Sequence, residues 1–164
     1  SNKNIGIGCA DGRIGKKMIH TGDTGQQWGI NKEELMERIA ESAKATADHF
    51  GDHIAYINVL RNMSVSCDCE GTAAQPVVTP NIGILASTDI LAADQASVDL
   101  VYALPEKYRH DLVERMVTRH GLRQLSYMKE LGMGCDRYVV LDLDHDNKPI
   151  MLAEAVKNVK PFQA

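Results

Sequence analysis

The sequence predicts an α/β fold with a mostly parallel central sheet and helices on both faces. Short apolar runs at residues 54–60 and 82–86 are too hydrophobic for half-exposed strands and read as strands covered on both sides. Segments with apolar residues at helical spacing alternate with those runs, and such alternation is the mark of crossover connections and a parallel sheet. With 164 residues and 44% hydrophobic content, one core is affordable, so a single α/β domain over residues 1–164 is expected. Ser1-Asn2 without an initiator Met resembles a tag-cleavage remnant, and the chain is expected to be a fragment of a longer one.

Taken in order, residues 4–8 read as a short buried strand leading into a glycine-rich loop from Cys9 to Gly15. Residues 21–29, with three glycines and the one Trp, read as loop. Asn31 followed by Glu34 is a capping-box pattern and opens the clearest helix. Leu35, Ile39, Ala43 and Ala47 line one of its faces, and Gly51 stops it. After the strand at 54–60, Pro76 and Pro80 bracket a loop before the strand at 82–86. Thr88 or Asp89 caps a helix that runs to about Leu104, where Pro105 breaks it. Residues 106–131 read as two helices divided near Gly121, the second closed by Gly132 or Gly134 in a left-handed cap. A last strand at 138–143 precedes a polar turn at 144–149, and the tail from Ile150 fits either a hairpin partner or a short helix.

The net charge is -4 and no Lys/Arg run is concentrated, which argues against nucleic acid as a partner. No apolar run approaches the roughly 20 residues that span a bilayer, and no signal-peptide layout opens the chain, so no membrane partner and a cytoplasmic location are expected. In that reducing compartment the four cysteines read as free thiols or ligands, not disulfides.

The most informative stretch is Cys67-Asp68-Cys69-Glu70-Gly71, two thiols and two carboxylates a few residues past a strand. Thiolates at that spacing point to metal, either zinc or an iron-sulfur cluster. A tetrahedral site needs two further ligands, for which Asp68, Cys9, His20 and Cys135 are candidates. Buried free thiols are the plain alternative.

The loop Gly6-Ile7-Gly8-Cys9-Ala10-Asp11-Gly12-Arg13-Ile14-Gly15-Lys16-Lys17 invites a phosphate-binding reading. It fails the Walker pattern at Ala10 and Lys17 and the dinucleotide fingerprint at Asp11. A general anion seat survives, built from backbone N–H groups at Gly8, Gly12 and Gly15 with Arg13 and Lys16 beside them. A tight structural turn is the alternative.

Asp94 lies on an apolar helical stripe with Ile90, Val98 and Val101. A carboxylate there needs a partner, which makes it a candidate acid/base and equally a salt bridge bracing the sheet. Asp99 falls on the neighbouring face and is expected to be less buried.

The runs Asn58-Val59-Leu60-Arg61-Asn62, Cys67-Asp68-Cys69, residues 80–89 and residues 93–101 together resemble the uncharacterised iron-sulfur-centre proteins, domain of unknown function 362. Gly6-Ile7-Gly8 with Gly15-Lys16, and residues 125–134 before an acidic strand, fit the same family. The match is to its C-terminal portion, without the ferredoxin-type cysteine insert that many members carry between the glycine loop and the first long helix. The resemblance implies metal or cluster association and raises the Cys67-Asp68-Cys69 motif and the Asp94/Asp99 helix as site candidates.

The function expected is therefore that of a metal- or iron-sulfur-associated protein with a redox or electron-transfer link and a redox partner. The alternative is an enzyme that binds an anionic small-molecule substrate at the glycine loop, with Lys16 holding it and Asp94 or the Cys67 thiolate doing the chemistry. A third reading is a scaffold whose site is completed by residues outside the chain.

Overall fold

The computed structural model describes residues 1–21, 30–66 and 72–163. Among these, helices dominate: α1 (Asn2–Gly8), α2 (Gly15–Thr21), α3 (Lys32–Phe50), α4 (Ile90–Ala103), α5 (Glu106–Thr118), α6 (Arg123–Glu130) and α7 (Leu152–Ala155). Strands β1 (Tyr56–Leu60) and β2 (Gly83–Ser87) form one two-stranded sheet, and β3 (Leu141–Asp142) with β4 (Lys148–Pro149) forms another.

Both sheets are antiparallel, which overturns the expected parallel central sheet. The two strong strands lie where their composition puts them, but they pair Tyr56 with Ser87 and Leu60 with Gly83. Apolar, β-branched composition specifies extended backbone, not direction. Direction is set by the connection. No helix long enough to carry the chain back for parallel pairing is present among the described residues of 61–82, and β2 simply returns beside β1.

The expected double cover fails too. Along β1 burial alternates: Tyr56 and Leu60 face α4, while Ile57 and Val59 are 64% and 55% exposed, and Ile84 on β2 is 65% exposed. Only one face of this sheet is packed.

The covering element is α4. Ile90, Leu91, Ala93, Ala96, Leu100 and Val101 are all buried, so the helix is apolar around most of its circumference, as an interior helix must be. At its start Ile90, Leu91 and Ala93 pack with Ala40, Tyr56 and Met128. At its far end Leu100 and Leu104 pack with Leu60 and Val156. Each such large side chain contributes about 1.5–3 kcal/mol on leaving water.

The expected strand at residues 4–8 is helix α1. An apolar run this short reads as strand or helix with equal ease, and packing decides. A Cβ on Gly6 would collide with the Ile39 backbone carbonyl, so glycine brings α1 unusually close to α3. Ser42 Oγ then donates to the Gly6 carbonyl at 2.6 Å.

Candidate functional site

Asp94 is nearly buried, its side chain 14% exposed, and wholly committed to partners. Its Oδ1 accepts from the Ser1 amine at 2.6 Å and from Asn58 Nδ2 at 2.7 Å, and its Oδ2 accepts from the Asn2 backbone N–H at 2.7 Å. Asn58 Nδ2 also donates to Ser97 Oγ at 2.9 Å, and Asn2 Nδ2 donates to Gln124 Oε1 at 2.9 Å. One polar network thus ties α1, β1, α4 and α6 together beside a groove of about 420 Å³. The partners are backbone N–H, amine and amide groups. Asn58 was absent from the sequence candidates, although a lone amide in an apolar strand was a usable signal.

Part of the glycine loop's backbone N–H set, though not that of Gly8, Gly12 or Gly15, is bonded within the loop. Asp11 Oδ1 accepts from the backbone N–H groups of Arg13 at 2.9 Å and Ile14 at 3.2 Å. These bonds hold its carboxyl below the ordinary range, because N–H donors favour the charged form. Gly8, Gly12, Arg13 and Lys16 are exposed and Gly15 partly so. Cys9, Asp11 and Gly15 border a cleft of about 650 Å³ against α3, across from Arg38 and His49, but Arg13 and Lys16 do not line it. His20 Nδ1 donates to the Lys16 carbonyl at 2.7 Å.

Cys67, Asp68 and Cys69 lie outside the described residues, but the chain on either side of them is well tied. Asn81 Oδ1 accepts from the Asn62 N–H at 2.8 Å, and Ser66 Oγ accepts from the Gln75 N–H at 2.8 Å. Val65, Ser66, Gln75 and Pro76 then form one side of a groove of about 540 Å³ whose other side is Asp111, Glu114 and Arg115 on α5.

The other two expected thiol ligands lie at different places in the fold. The Cys135 N–H donates to Asp89 Oδ2 at 2.8 Å, near the Ser87 end of the sheet. Cys9 is in the α3 cleft, and both it and Cys135 are free, exposed thiols. Among the described residues, no three His, Cys, Asp or Glu side chains gather closely enough to hold a metal ion.

Asp99 has a partner the sequence did not suggest. The Tyr138 hydroxyl donates to its Oδ2 at 2.5 Å and Gln95 Nε2 to its Oδ1 at 2.9 Å. Burial and the adjacent carboxylate push the Tyr138 phenol well above its usual range. Asp89 similarly joins two segments, capping α4 through the Ala92 N–H at 2.8 Å and holding Cys135. A Cβ on Gly134 would strike this carboxylate, so the approach requires glycine.

The arrangement defines a helix-rich domain whose elements are joined by carboxylate and amide networks. Residues 1–99 match the family model described as a domain of unknown function, DUF362, and the chain belongs to that family. No curated protein and no solved structure matches it. No helix among the described residues is long and apolar enough to cross a membrane.

Proposed function

We propose that this chain is a metal-thiolate protein in which Cys67 and Cys69 bind zinc or an iron-sulfur cluster, with Asp68 between them tuning the site. The observation that supports this most is the setting of the motif. The chain flanking it is pinned by the Ser66–Gln75 and Asn62–Asn81 hydrogen bonds, and that flank opens onto a groove bordered by Asp111 and Glu114. Two thiolates supply half a tetrahedral set, and carboxylates are acceptable ligands for the remainder. Those two acids join Cys9, His20 and Cys135 as candidates for the additional ligands.

A bound cluster would supply one-electron chemistry, and zinc would supply structural closure. Arg115 also borders that groove, and a cation close to a thiol favours the thiolate a metal needs. A redox partner and a reducing, cytoplasmic setting belong to the same proposal. The anionic-substrate reading has less support, because Asp11 places a carboxylate in the glycine loop and takes its Arg13 and Ile14 N–H groups, and Asp94 has no unengaged carboxylate oxygen.

Metal analysis of protein purified without oxygen, with its visible spectrum, tests the proposal. Near-stoichiometric metal is expected, falling sharply in Cys67→Ser and Cys69→Ser and partly in Asp111→Asn with Glu114→Gln. Visible absorbance identifies a cluster, and colourless metal-loaded protein identifies zinc. Folded wild-type protein that neither contains metal nor takes up zinc or iron would overturn it.

A further inference from the structure

We draw no further inference here: the strongest candidate, the outer face of the β1–β2 sheet where Ile57, Val59 and Ile84 stand exposed, carries nothing because nothing in the structure shows what covers it.

Discussion

At Asp94 a carboxylate is kept on an apolar helix by donors from two other places in the chain: the Ser1 and Asn2 backbone nitrogens at the start of α1 and the Asn58 amide on β1. Hydrogen bonds to a charged group contribute about 1.5–3 kcal/mol each in mutational series, but they share one acceptor and part of the loss is recovered by water. Asp94→Ala is therefore expected to cost about 2–3 kcal/mol in denaturant unfolding, with Asp94→Asn between it and the wild type. A change under about 0.5 kcal/mol, the range of an ordinary surface substitution, would show that the network does not brace the fold. Asp11 gives a pH prediction. Its folded-state pKa is depressed by the Arg13 and Ile14 N–H groups, so its contribution is fully present above the unfolded value near ~4 and is lost as pH falls through the lower folded value. The Arg13 and Ile14 amide resonances should titrate together below that unfolded value, and Asp11→Ala should abolish the transition. A midpoint at or above it would contradict the proposed turn.

At the level of elements, legibility followed the locality of the information. Helix α3 was readable because its signals lie within the helix: Asn31 Oδ1 accepts from the Glu33 N–H at 2.9 Å, and Gly51 ends it at φ +54°. One detail differs, since Glu34 turns to Arg38 instead of closing a capping box. The Asp89 cap of α4, the division near Gly121 and the positive φ of Gly132 were readable for the same reason. Strand direction was not, because pairing depends on a connection whose path no local pattern encodes. Nor was the segment at residues 138–143, which forms only the short β3 pairing with β4. The tail from Ile150 proved to contain α7. Of the site, the Cys-Asp-Cys motif was visible as residue types and Asn58 as a lone amide in an apolar strand whose partner lies 36 positions away, whereas Tyr138 acquires meaning only through a partner 39 positions away. α1 is the sharpest case, because Gly6 suits a helix only against the Ile39 carbonyl. Gly6→Ala should lift α1 from α3 and cost about 1–3 kcal/mol, the range for overpacking. At about 2–4 °C per kcal/mol for a chain of this size, the melting temperature should fall by several degrees. An unchanged melting temperature would show that the close approach does not hold in solution.

For the molecule as a whole, the central fact is an imbalance around β1 and β2. One face rests on α4, where Leu60 is 8% exposed and Ile90 1%, while Ile57, Val59 and Ile84 on the other face stand more than half exposed. Both faces carry side chains of the same kind, so composition cannot distinguish them, which is why the sequence reads as a sheet covered twice. Thermodynamics can distinguish them. Truncating a core residue removes transfer free energy and leaves a cavity, so Ile90→Ala or Leu60→Ala should cost about 2–5 kcal/mol. A side chain already in water has little to lose, and Ile57→Thr and Ile84→Thr should each alter stability by no more than about 0.5 kcal/mol. Thr retains the β-branched shape that an extended backbone favours, so the substitution tests burial and not strand propensity. The measurement is urea unfolding across protein concentrations. Small, concentration-independent effects at Ile57 and Ile84 beside large ones at Ile90 are the expected outcome. Core-sized losses at Ile57 that grow with protein concentration would mean that another copy covers this face, and core-sized losses independent of concentration would mean that the chain itself does.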